Sequence, residues 1–165
     1  MGIPLYFKTL SNRFPEMIIS DLQSILNNPT KQNHLFFDLN CAIHPCCRNI
    51  LKEYNNKRVN NDILEKRMIT EVILYIQKII EIVQPNLVFI AIDGVAPFSK
   101  MNQQRERRYK SILNREIDEK LRKECNMDIP NFWDTNAISP GTEFMNKLYK
   151  RITHEINQDN LNDSK

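Results

Sequence analysis

Two aspartates and a run of cations carry the chemistry of this sequence. Asp38 ends the apolar string Leu35-Phe36-Phe37, and Asp93 ends the longer string Leu87 to Ile92. Both strings read as strands, and in an open parallel sheet ligands bind outside the carboxyl ends of the strands. If the two strands are neighbours, two carboxylates lie side by side at that rim. Adjacent anions repel unless a cation sits between them, and hard oxygen ligands favour Mg²⁺ or Mn²⁺. Each Asp also fits a turn after its strand, where Asp is common. Both readings stay open on spacing alone.

Lys100, Gln104, Arg107 and Arg108 follow Asp93 at i, i+4, i+7 and i+8. At about 100° per residue they share one stripe of a helix. Three cations and an amide on one face can grip a terminal phosphate: arginine offers a planar fork and lysine a point charge. Residues 98–125 hold nine basic and five acidic side chains, whereas the formal net charge of all 165 residues is +3. A solvated basic helix braced by Glu106, Glu116 and Asp118 would show the same spacing. Metal ions beside a phosphate clamp are the equipment of phosphodiester hydrolysis, where metal generates hydroxide and stabilises the leaving oxygen.

The elements that must position these groups follow from periodicity. The first 30 residues predict short helices broken at Pro15 and Pro29. His34–Asn40 predicts a buried strand, followed by a polar connection through Pro45 to about Asn61. Leu64, Met68, Ile69, Val72, Ile73, Ile76, Ile79, Ile80 and Val83 then recur at helical spacing, giving a long amphipathic helix stopped by Pro85. Leu87–Asp93 is apolar enough for a strand covered on both faces. Strand, helix, strand predicts a parallel βαβ unit with a right-handed crossover. A second helix should run from about Ser99 to Glu124, and a last one should start near Ser139-Pro140. Phe144, Met145 and Leu148 belong to the core, Trp133 reads as a loop anchor before a nucleic-acid stacking platform, and the final residues fray.

Composition bounds the class. With 41% hydrophobic and 26% charged residues the chain is ordinary for a globular protein, long enough for one core. No apolar run approaches the length of a membrane span, and the N-terminus lacks a secretory pattern. Four cysteines without a framework spacing point to a reducing, intracellular setting. Cys41, His44, Cys46 and Cys47 crowd into seven residues, but zinc sites usually pair two separated knuckles and only Cys125 remains. Zinc is therefore not expected.

Four strings then match something known: MGIPLYF at 1–7, FFDLNCAIH at 36–44, AIDGVAPFSKMNQQRERR at 91–108 and ISPGTEFM at 138–145. In that order they resemble the N-terminal part of the XRN family of 5′→3′ exoribonucleases. Flap endonucleases share the opening in part, but not KMNQQR or PGTEF. The resemblance implies an α/β fold with a PIN-like (flap-nuclease-like) core of βαβ units and a parallel sheet, here its N-terminal half over residues 1–155, with a tail at 156–165. It implies hydrolysis of 5′-monophosphorylated RNA with divalent metal, releasing mononucleotides, in the cytoplasm or nucleus and without a membrane. Asp38 and Asp93 would be catalytic metal ligands. Lys100, Gln104, Arg107 and Arg108 would hold the 5′-monophosphate, and His44 would stack on the first base. Stacking tolerates any base, which suits such an enzyme.

Two departures stand out. Phe98-Ser99 replaces the Arg-Ala usual before the family's lysine, and Cys41 stands where small or polar residues are common. The family's remaining acidic ligands, in a glycine- and glutamate-rich segment and an Asp-x-Asp segment, do not occur before Lys165. Glu143 better suits the start of a helix. The chain thus offers about half of a metal site. Three readings follow: a piece of a longer nuclease, a subunit completed by a second polypeptide, or a binder of 5′-phosphorylated RNA that does not cut.

Overall fold

The structure is a computed structural model and describes residues 3–18, 33–54, 59–129 and 133–158. The chain divides into two compact units, residues 1–33 and 34–165. The first contains helix α1 (Tyr6–Arg13) and a 3₁₀ turn over Pro15–Met17. Pro15 begins that turn because it has no N–H to continue the helix. The predicted break at Pro29 lies outside the described residues, as does the tail from residue 159 onward.

The second unit runs β1 (His34–Asp38), α2 (Asn40–Glu53), α3 (Asn61–Val83), β2 (Leu87–Ala91), α4 (Phe98–Glu124), a 3₁₀ turn (Thr135–Ala137) and α5 (Glu143–Asn157). The strands pair in parallel, from His34 opposite Leu87 to Asp38 opposite Ala91. The unit is α/β, a two-stranded parallel sheet with helices.

Helix α3 is where the periodicity placed it. Asn60 caps it by accepting from the Asp62 N–H at 2.8 Å, and Gln84 ends it in the left-handed region (φ 44°) just before Pro85. Its buried stripe, including Met68, Val72, Ile76 and Ile80, meets Ile43, Cys47 and Ile50 of α2 and Phe144, Leu148 and Ile152 of α5 in one core. Helix α4 differs from all of these, since none of its residues is buried.

Three expectations need correction. The polar connection after β1 is instead α2, which continues through Pro45. Proline there forfeits one backbone bond, but Leu39, Ala42, Ile43, Cys46, Cys47 and Ile50 form a buried stripe that outweighs that loss. The strands are not covered on both faces. Leu35, Phe37, Val88 and Ile90 turn toward the core, while Phe36 (69% exposed) and Phe89 (57%) face outward with ring centroids 6.1 Å apart. The last helix starts at Glu143, with Thr142 as its cap. Ser139-Pro140-Gly141-Thr142 is a turn closed by Thr142 N–H to Ser139 C=O at 3.3 Å, with Gly141 at φ 85°. Proline's fixed φ suits the second position of such a type II turn as well as a first helical turn, so the sequence alone is ambiguous there.

Candidate functional site

Parallel pairing brings the two strand ends together. Leu39 N–H donates to Ala91 C=O at 2.9 Å, so the chain turns into α2 directly beside the end of β2. Exposure alternates along both strands, and Asp38 and Asp93 both fall on exposed positions with Phe36 and Phe89. Asp93 lies two residues past Ala91, the partner of Asp38.

A cleft of about 390 Å³ opens at this end of the sheet. His44 from α2, Asp93 after β2, and Lys100, Gln104, Arg107 and Arg108 from the first turns of α4 all line it. The i, i+4, i+7, i+8 spacing therefore does put one stripe on one cavity. Asp38 does not line this cleft.

Pairing separates the two halves of α4. Toward its C-terminal end, Arg122 meets Asp118 at 2.8 Å and Arg115 meets Glu119 at 3.9 Å. Among the described residues Lys100, Arg107 and Arg108 make no ion pair. Cations gathered in a cleft without such pairs draw anions. Burial, and then the Arg48 charge, hold the His44 imidazole below its ordinary pKa. Its ring is therefore neutral near pH 7, the form that stacks without adding charge.

The metal reading finds partial support in the donors. Asn40 also lines the cleft, and its buried Oδ1 has no hydrogen-bond partner. An amide oxygen beside carboxylates suits Mg²⁺ in kind. In number the set falls short, since the described residues contain no group of three His, Cys, Asp or Glu able to hold a metal ion. The zinc candidates are buried in part: Cys46 and Cys47 pack in the core, and burial pushes the Cys47 thiol up to about 12. Such a thiol is not a ready ligand.

Sequence reasoning missed Asn40 and one whole wall of the cleft. Thr135, Asn136, Ser139 and Pro140 line it from the loop before α5. Asn40 carried a signal, standing between two candidates in FFDLNCAIH. The loop carried none beyond its turn residues, because its approach to α4 depends on tertiary contacts.

Comparison with known proteins yields one family and a consistent set of relatives. The model described as XRN 5'-3' exonuclease N-terminus matches residues 1–165. The chain is 35% identical to 5'-3' exoribonuclease 1 of Saccharomyces cerevisiae, over 100% of this chain and 10% of that protein. It is 34% identical to 5'-3' exoribonuclease 1 of Homo sapiens, over 95% of this chain and 9% of that protein. It is 32% identical to 5'-3' exoribonuclease 2 of Gallus gallus, over 98% of this chain and 19% of that protein. The chain thus spans less than a fifth of the length of these relatives. No solved structure gives a significant match.

Proposed function

The chain belongs to the XRN 5'-3' exonuclease N-terminus family, and from that premise we propose that it is the substrate-end-binding part of a 5′→3′ exoribonuclease acting on 5′-monophosphorylated RNA. One observation carries the reading: Lys100, Arg107 and Arg108, without an ion pair among the described residues, share a cleft with Gln104, His44 and Asp93. A terminal phosphate offers oxygens that only accept hydrogen bonds, and these cations only donate. A cap or triphosphate would extend from that phosphate away from the first base, adding bulk and charge beyond the cations. The neutral imidazole of His44 stacks on the first base.

Asp38 and Asp93 would hold part of the shell of a divalent ion, and Asn40, whose Oδ1 has no partner, lines the same cleft as Asp93. When bound, that metal supplies hydroxide for attack and stabilises the leaving oxygen. The chain's own residues orient the phosphate end for this step. The sheet and its helices correspond on this reading to the N-terminal half of a PIN-like core. A second reading, binding without cutting or cutting only with carboxylates from another polypeptide, is favoured by the small number of acidic donors at the rim.

Decay of a 5′-monophosphate RNA by the purified chain in Mg²⁺ tests the two, with 5′-hydroxyl RNA and Asp93→Ala protein as controls. Mononucleotide release that requires both the phosphate and Asp93 supports the first reading. Folded protein that prefers the 5′-phosphate yet releases nothing supports the second. Indifference to the 5′-phosphate overturns both.

A further inference from the structure

The wall facing the cationic stripe has polar groups to spare. Asn136 and Ser139 are half-buried and line the cleft, with Thr135 beside them. Among the described residues their side chains make no hydrogen bond, although the loop around them is densely bonded. Asp134 Oδ1 accepts from the Asn136 N–H at 3.0 Å, and Thr142 Oγ1 reaches the carbonyls of Ala137 and Ser139 at 2.5 and 2.9 Å. The loop is thus held by other groups, which leaves the amide of Asn136 and the hydroxyl of Ser139 uncommitted.

The anchorage comes from outside the cleft. Trp133 is buried edge-on against Phe144, with centroids 5.0 Å apart, and its Nε1–H donates to Glu65 Oε1 of α3 at 3.3 Å. Glu65 Oε2 accepts from Lys147 Nζ of α5 at 2.9 Å, and Lys147 also pairs with Glu143 at 3.2 Å. The start of the loop is therefore tied to two core helices at once.

We propose that Asn136 and Ser139 bind the ribose of the terminal nucleotide through its 2′-hydroxyl, and that Trp133 and Glu65 are positioning residues that hold this wall opposite the phosphate clamp. The proposal rests on the 5′-phosphate reading above. Chemistry divides the cleft in this way. Phosphate oxygens accept only, matching the cations, whereas a hydroxyl both donates and accepts, matching an amide and a second hydroxyl. In the 5′-terminal nucleotide of an RNA the 2′-hydroxyl is the free sugar hydroxyl, and it distinguishes RNA from DNA.

Fluorescence anisotropy of the full chain tests this with a 5′-phosphorylated RNA and the same RNA carrying one 2′-deoxy nucleotide at its 5′ end. The wild-type protein should bind the all-ribose ligand about five- to tenfold more tightly. Asn136→Ala and Trp133→Ala should each bring that ratio close to one while keeping the preference for 5′-phosphate over 5′-hydroxyl RNA. Glu65→Gln retains the acceptor for Trp133 and should keep the ratio, whereas Glu65→Ala should lower it. A wild-type protein that prefers the 5′-phosphate but ignores the 2′-hydroxyl overturns this proposal alone. So do variants that keep the ratio, or that lose both preferences together, which would mark a collapsed pocket. A wild-type protein that ignores the 5′-phosphate overturns the underlying phosphate reading.

Discussion

Helices α3 and α4 are of similar length and opposite use. α3 spans 23 residues and buries seven of them, whereas α4 spans 27 and buries none. The apolar stripe of α3 from Leu64 to Ile80 is consumed by the core, while Ile63, Leu74, Tyr75 and Ile82 stay exposed. The apolar residues of α4, Tyr109, Leu113, Ile117 and Leu121, recur every fourth residue and stay exposed. Packing therefore constrains nearly every turn of α3, while α4 is free to carry a cationic face. Between these two helices fold and binding are divided, so substitutions in them should separate stability from affinity.

The sharpest break is expected in α3. Ile76 is fully buried, and Ile76→Ala should cost about 2–5 kcal/mol in urea or thermal unfolding, through lost transfer energy and a cavity. A loss below about 1 kcal/mol, small for such a site, would mean that α3 is not the organising helix. In α4, Arg107→Ala or Arg108→Ala should weaken binding of 5′-phosphorylated RNA about ten- to a hundredfold, the value of a charge-assisted contact of about 1.5–3 kcal/mol. Stability should stay within about 0.5 kcal/mol, as for other surface changes. Equal weakening on 5′-hydroxyl RNA would instead indicate contact with the backbone at large.

Smaller effects refine the contrast. Ile117→Ser should leave the melting curve within about 0.5 kcal/mol of wild type. A larger drop would show that the apolar stripe of α4 is covered in solution. The smallest effect belongs to His44. Its folded pKa is lowered, so the unfolded chain binds the proton first as pH falls through 6.5. Stability from this group is complete above that value and declines below it, and His44→Gln should remove that part of the pH dependence.

Legibility in the sequence followed the source of each structural decision. Met68, Val72, Ile76 and Ile80 decide α3 by their own spacing, and Pro85 ends it. The parallel strands follow because the helical connection between them, α2 and α3 in the structure, must cross over. Pro45 misled, since a local helix breaker was set against the burial of Ile43, Cys47 and Ile50, which appears only once α3 packs on them. The strand faces misled for the opposite reason: Phe36 and Phe89 are as apolar as core residues, and only the arrangement of layers reveals that no helix of the described residues buries them. At the site, the α4 stripe was legible because helical geometry alone unites Lys100 with Arg108. Asn136 and Ser139 were not, because a tryptophan tied to α3 brings their loop there.

The division of the thiols has a practical side. Cys46 and Cys47 are buried, while Cys41, next to Asn40 on α2, and Cys125, at the far end of α4, are exposed. From Lys100 to Cys125 the helix rises about 38 Å at 1.5 Å per residue. A maleimide dye pair on unaltered protein would therefore settle at the start of α2 and at the tip of the bare helix. The chain carries its own spectroscopic ruler, set across the helix that no core residue restrains.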